Sequence, residues 1–284
     1  GDLTLCENEE RTVNASATFG AEPYDFAWTI TNETDVTGTL SATDIQSPTF
    51  SAELTGVATT GSVTIQVVAT DDNGCESAPS EITFTIDEAP DANDITGNET
   101  PCQDNTETYT LTDIGTGNDF SWTISSGGTI NSGTTGTSID VTWTGDAGTT
   151  HTITVVETDP SDCETINTFD VTIQPLPIGD ISGNSTVCED GTITLDGQPS
   201  GGSSTYTTHT WTQTGGTGSV GITNNDDGTV DIEGTSAGTA DITYTVTDDS
   251  GCTSADASIT ITVVAQPNSG TAFADYIAAH TDAD

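Results

Sequence analysis

One phrase returns three times along this chain, and it constrains the fold more than any other feature. It reads Thr70-Asp71-Asp72-Asn73-Gly74-Cys75, then Thr158-Asp159-Pro160-Ser161-Asp162-Cys163, then Thr247-Asp248-Asp249-Ser250-Gly251-Cys252. Each copy stands between two runs with apolar residues at alternate positions. Val63, Ile65 and Val67 precede the first, and Ile82, Phe84 and Ile86 follow it. Ile153 and Val155 precede the second, with Phe169, Val171 and Ile173 behind; Ile242, Tyr244 and Val246 precede the third, with Ile259, Ile261 and Val263 behind. Period-two alternation on both sides of an Asp/Asn/Gly turn predicts a half-buried β-hairpin. Its return about every 88 residues means internal repeats, so the fold is read one repeat at a time.

Each repeat also has an earlier cysteine (Cys6, Cys102, Cys188) and, about 20 residues later, a tryptophan in a strand-like run. These runs are Phe26-Ala27-Trp28-Thr29-Ile30, Phe120-Ser121-Trp122-Thr123-Ile124 and His209-Thr210-Trp211-Thr212-Gln213. A bulky ring on a central strand fills much of the roughly 10 Å gap between two packed sheets, so Trp28, Trp122 and Trp211 are read as core anchors. The predicted architecture is all-β: repeat 1 over residues 1–88, repeat 2 over 89–175, repeat 3 over 176–266, and a C-terminal tail over 267–284. The joints, Asp87-Glu88-Ala89-Pro90-Asp91 and Gln174-Pro175-Leu176-Pro177-Ile178, carry prolines that stiffen them, which predicts an end-to-end rod.

Composition argues against this order at first sight. The formal net charge is −44, Arg11 is the single Lys or Arg, and Leu, Ile, Val and Phe make up only about 18% of residues, a balance common in disordered chains. Strict alternation and a Trp and Cys repeated in register exclude that, and the abundant threonine is β-prone. The acidity excludes nucleic-acid binding, for which phosphate-neutralising side chains are missing, and it disfavours anionic membranes. It suits either a surface that stays soluble in high salt or one that collects divalent cations. No apolar stretch is long enough to span a bilayer, so membrane insertion is not expected, and export would rest on a removed leader.

Six cysteines, two per repeat, imply disulfides and an oxidising, extracellular compartment. Pairing within repeats gives Cys6–Cys75, Cys102–Cys163 and Cys188–Cys252, each closing a loop worth about 4 kcal/mol in chain entropy. The rival pairs across the joints, Cys75–Cys102 and Cys163–Cys188, and leaves Cys6 and Cys252 for bonds between subunits. The spacing contains no CxxC, so zinc is not expected.

The Phe-x-Trp-Thr-Ile strand, the Thr-Asp-x-x-Gly-Cys hairpin, the proline joint and Ile181-Ser182-Gly183-Asn184-Ser185-Thr186-Val187-Cys188 together resemble the tandem Ig-like/PKD-like repeats of Bacteroidetes-type secreted cell-surface adhesins. The resemblance spans residues 1–266 and implies β-sandwiches, export and attachment at the cell surface. Repeat 3 departs from it at His209 and Gln213.

The two ends differ in a way that suggests assembly. Repeats 2 and 3 have a leader before their first cysteine, Asp94-Ile95-Thr96-Gly97 and Asp180-Ile181-Ser182-Gly183, which repeat 1 lacks. After repeat 3 comes a further segment containing Phe273, Tyr276 and Ile277, a candidate donor strand that also fits a short helix. Strand addition of this tail to the edge of repeat 1 in the next copy, near Leu3 and Leu5, would build a head-to-tail filament. The alternative is a set of spacer or binding repeats within a larger secreted adhesin or hydrolase, where the partner is a glycan or surface protein.

Signals for chemistry are thin. Asp71, Asp72, Asp248 and Asp249 in the hairpins and Asp87, Glu88, Asp91 and Asp94 at the first joint are candidate Ca²⁺ ligands, although Asp and Gly are also what tight turns need. No other cofactor is expected. No Gly-x-Ser-x-Gly elbow occurs, and His151, His209 and His280 lack a telling acid or nucleophile partner; His151 and His209 are read as surface strand residues. No enzyme activity is expected. Asn14, Asn32, Asn98 and Asn184 match glycosylation acceptors by pattern alone.

Overall fold

The computed structural model describes residues 3–112 and 114–267, and among these every regular element is a strand. They fall into two compact units. One is built from the stretch up to Glu99 with Thr106–Thr142 and His151–Val171; the other from Thr100–Asn105, Trp143–Thr150 and the stretch from Thr172 onward.

The first sandwich has one sheet ordered Thr4–Cys6, Ser80–Asp87, Thr60–Thr70, Asp25–Thr34, and a second ordered Arg11–Thr12, Thr49–Leu54, Val36–Leu40. Alternation sends Leu5, Phe26, Trp28, Val63, Ile65, Phe84 and Ile86 inward. There the rings of Phe50 and Phe84 stack with centroids 5.0 Å apart, one from each sheet. The third sandwich repeats the plan with Thr186–Cys188, Ala257–Val264, Gly238–Asp248, Tyr206–Gly216 in one sheet. Its other sheet is Ser182–Gly183, Thr192–Asp196, Thr229–Ser236, Ser219–Asn224. The middle repeat has sheets of Asp119–Ile124, Thr150–Thr158, Glu164–Thr172 and of Gly128–Ile130, Ser138–Trp143, Thr106–Leu111, Ile95–Thr96.

Threonine explains how so apolar-poor a chain keeps its strands. On outward faces, cross-strand hydroxyls pair directly, as Thr64 with Thr83 and Thr212 with Thr243, each at 2.8 Å. Such pairs stabilise a ladder without using apolar surface. All four tryptophans, the three central-strand ones and Trp143, are buried. Trp28 Nε1 donates to the Ile45 carbonyl at 2.8 Å and Trp122 Nε1 to the Gly136 carbonyl at 2.7 Å. Trp211 Nε1 has no hydrogen-bond acceptor; its ring packs on Tyr244, centroids 4.4 Å apart. The two residues that set repeat 3 apart have local duties. His209 Nδ1 lies 2.7 Å from the Tyr244 hydroxyl, and Gln213 clamps a bulge through the carbonyls of Gly215 and Gly218 and the Val220 amide. His151 is buried, with Nδ1 3.2 Å from Ser126 Oγ, and His209 is half-buried, so neither is the surface residue its context suggested. The inward phase of each strand captured them.

The cysteine pairing corrects both sequence readings. The bonds are Cys6–Cys163 and Cys102–Cys252, each with Cα atoms 5.5 Å apart, and Cys75 and Cys188 are unbonded and exposed. Within-repeat pairing fails for a geometric reason. The first strand runs parallel to the last, in register Cys6 with Asp87, while the hairpin cysteine lies beyond the opposite end of that last strand, before Ser80. Seven strand steps, about 23 Å, separate Asp87 beside Cys6 from Ser80 at the end near Cys75, which is far outside disulfide reach. Each first cysteine thus marks the trailing end of its repeat and each hairpin cysteine the leading end. Pairing the hairpin with the next repeat's first cysteine would run the wrong way, from a leading end to a trailing end. The bonds instead join a trailing end to the following leading end.

Candidate assembly site

The hairpin turn is built by its aspartate. Asp71 Oδ1 accepts from the Asn73 and Cys75 amides at 3.0 and 2.8 Å, and Oδ2 from the Ala21 amide at 3.1 Å. Those amides, Cys75 first and then Ala21, hold the Asp71 carboxyl below its ordinary value of 3.8. Asp159 and Asp248 accept the corresponding amides of Ser161 and Cys163, and of Ser250 and Cys252. Asp248 is itself buried, and its Oδ2 takes the Ser203 amide. These carboxylates therefore serve backbone turns. Asp72 and Asp249 are exposed beside them.

At the first joint, Asp87, Glu88 and Asp91 line one hollow together with Asp159, and Asp94 lies apart from it with its carbonyl accepting from the Thr112 amide. Among the described residues no three His, Cys, Asp or Glu side chains form a ligand set.

The first sandwich differs from the others along one edge. In the middle repeat, Ile95–Thr96 pairs outside Thr106–Leu111; in the third, Ser182–Gly183 pairs outside Thr192–Asp196. Among the described residues no strand pairs outside Arg11–Thr12, which occupies the same place. That segment does more than extend the sheet. Arriving from the preceding repeat, it passes the hairpin cysteine, with the Asp87 carbonyl 3.9 Å from Cys163 Sγ, and the Pro90 carbonyl accepts from Thr165 Oγ1. It then covers the inner face: Asn93 Nδ2 donates to Glu157 at 2.7 Å, and Asn118 Nδ2 donates to the other Glu157 oxygen at 2.7 Å, satisfying a fully buried carboxylate. In repeat 3, Gly179 lies so close to Tyr244 that a Cβ there would meet the ring at 2.9 Å.

Register makes the comparison direct. The residue across from the central Trp is Val67, Val155 and Tyr244 in turn. Two steps on stand Ala69, Glu157 and Val246. Val155, Tyr244, Glu157 and Val246 are fully buried, whereas Val67 and Ala69 are only half-buried. They line a hollow of about 600 Å³ with Ala15, Ala17, Tyr24 and Phe26, flanked by Cys75 and by a fully exposed Phe19. A second hollow of about 410 Å³ continues past Val67 to Leu3, Val13, Trp28, Ile82 and Phe84.

Of the assembly residues read from sequence, Leu3 lines this groove, but Leu5 does not. Leu5 is buried in the core of its own sandwich because its strand already pairs with Ser80–Asp87. The open edge is at Arg11–Thr12 in the other sheet. Phe273, Tyr276 and Ile277 lie outside the described residues. Sequence reading missed Val67, Ala69 and Phe19, and the signal was present: Ala69 is small where its counterparts are Glu157 and Val246.

Residues 88–171 match the PKD-like domain family and residues 182–263 match a second PKD-domain family. The chain carries tandem PKD/Ig-like repeats. A search of curated proteins returns no match. Similar solved structures include the human Desmocollin-1 ectodomain, at 12% identity and TM-score 0.24, covering 87% of this chain and 52% of that one. The N-terminal eight Ig domains of Down Syndrome Cell Adhesion Molecule align at 12% and 0.36, covering 94% and 36%. The insect immune protein hemolin aligns at 9% and 0.32, covering 93% and 73%. The chain spans about half the length of the first of these and about a third of the second. Superpositions this loose assign no function.

Proposed function

We propose that this chain is a non-catalytic structural subunit of an extracellular fibre or adhesin stalk. It assembles head to tail, the C-terminal segment after Pro267 adding as a strand to the open edge of the first sandwich in the next copy. The observation that carries the reading is the half-open inner face at Val67 and Ala69, which in the other two repeats is closed by the segment arriving from the preceding repeat. A tail that follows the third repeat, as those segments follow the first and second, is the natural occupant. Strand addition takes its affinity from main-chain hydrogen bonds and its register from apolar side chains entering the groove, and a contact of this kind that does not close yields a fibre. Two disulfides favour an oxidising, extracellular setting.

Deleting residues 271–284 and viewing the material by negative-stain microscopy tests it. Head-to-tail polymers from the full chain and none from the truncated one are expected; polymers that survive the deletion overturn the strand-addition reading and leave repeats that serve as spacers within a larger surface protein.

A further inference from the structure

The two bonded pairs and the two unbonded cysteines share one geometry. Cys6 and Cys188 each face the last residue of their repeat's final strand, Asp87 and Val264, in a parallel bridge, and Cys102 faces Gln174 in the same sense two residues beyond the end of Glu164–Thr172. The residue after each cysteine donates its amide to that same partner's carbonyl at 2.9 Å, as Glu7 to Asp87, Gln103 to Gln174 and Glu189 to Val264. The turn that follows places Asn8, Asp104 and Asp190 at φ of 62, 67 and 60°. On the other side, Cys75, Cys163 and Cys252 each donate their amide to the turn aspartate's Oδ1 at 2.8 to 2.9 Å. The carbonyls of these cysteines accept from Asp71, Asp159 and Asp248 at 2.9 to 3.0 Å. The backbone therefore presents Cys188 as it presents Cys6 and Cys102, and Cys75 as it presents Cys163 and Cys252.

We propose that Cys188 of one copy forms a disulfide with Cys75 of the next, locking the head-to-tail contact covalently. This rests on the assembly proposed above and deepens it. The bond repeats the rule followed twice inside the chain, trailing-end cysteine to the following hairpin cysteine. Cys75 also flanks the open groove, and in the middle repeat the segment that covers the equivalent face passes within 3.9 Å of the hairpin sulfur. A strand entering the groove brings the trailing end of its own repeat to Cys75.

The chemistry needs an oxidant, and a low-molecular-weight disulfide supplies it. The Cys188 thiolate, having lost its proton to solvent, attacks the small disulfide and releases one small thiol, leaving a mixed disulfide. The Cys75 thiolate of the neighbour then attacks Cys188 Sγ and releases the second. Two protein thiols and one small disulfide become one protein disulfide and two small thiols.

Full-length chain is incubated with oxidised glutathione and run on non-reducing gels, alongside Cys75→Ser and Cys188→Ser, both exposed positions. Wild type gives a ladder. Each variant alone stays at monomer size, and an equal mixture of the two gives a dimer and nothing larger. Peptide mapping with an acid-directed protease shows Cys188 joined to Cys75. Dimers from either variant alone, or a Cys75–Cys188 bond within one chain, overturn the proposal. Polymers visible by microscopy without any intermolecular bond in the mixture overturn it while leaving strand addition standing. No polymers and no bond remove both.

Discussion

Cys6 is bonded to Cys163, 157 residues away, although Cys75 lies in its own repeat. The pair sits where one sandwich ends and the next begins, so it fixes a joint rather than a fold. A cross-link over a loop of that length is worth about 5 kcal/mol in the chain-entropy account. Its loop interlaces with that of Cys102–Cys252, so the two contributions do not add.

Cys6→Ser is expected to lower stability by about 2–5 kcal/mol, while Cys75→Ser leaves the unassembled chain unchanged. Urea unfolding of the two variants checks this. Thiol titration of the denatured, unreduced monomer, isolated before any oxidant is added, returns two reactive groups; a count of zero or six contradicts the pairing.

Val67 and Val155 stand across from Trp28 and Trp122 in matching register, yet only Val155 is fully buried. Val155→Ala removes apolar surface from a closed core and costs about 2 kcal/mol. Val67→Ala costs less than about 1 kcal/mol in the unassembled chain, because part of that surface already meets water. Chemical denaturation of both variants decides it, and equal costs would mean that the groove is closed in solution.

Asp71 titrates below 3.8 because the Cys75 and Ala21 amides favour its charged form. A folded value below the unfolded one gives stability that is present above the unfolded value and lost as pH falls through the folded one. Carboxyl NMR is expected to place its midpoint below 3.8, and Asp71→Asn to weaken the hairpin at neutral pH. A midpoint at the ordinary value means that the turn does not hold the carboxylate.

Tyr244 is pushed up to about 12, first by burial and then by Asp196 and Tyr206. A folded value above the unfolded one gives stability that is complete below pH 10 and lost as pH rises through about 12. Ultraviolet titration should show one tyrosine ionising after the others, and Tyr244→Phe should abolish that late step.

The charge of −44 predicts that sodium chloride raises the melting temperature by screening self-repulsion. Since the Asp71 and Asp248 carboxylates are engaged by turn amides, calcium matched for ionic strength should do no more. A calcium-specific rise abolished by Asp87→Asn would assign an ion to the hollow at the first joint.

The repeats, their hairpins and the buried tryptophans were legible in the amino-acid order because they follow from short-range rules: alternation of side chains, turn aspartates and bulk on a central strand. The pairing of Cys6 with Cys163, the burial of Leu5 and the location of the open edge at Arg11–Thr12 were not. Each depends on which end of a sandwich a strand terminus reaches. That is set when the first strand of a repeat pairs in parallel with its last, some eighty residues on, and no local pattern encodes that contact.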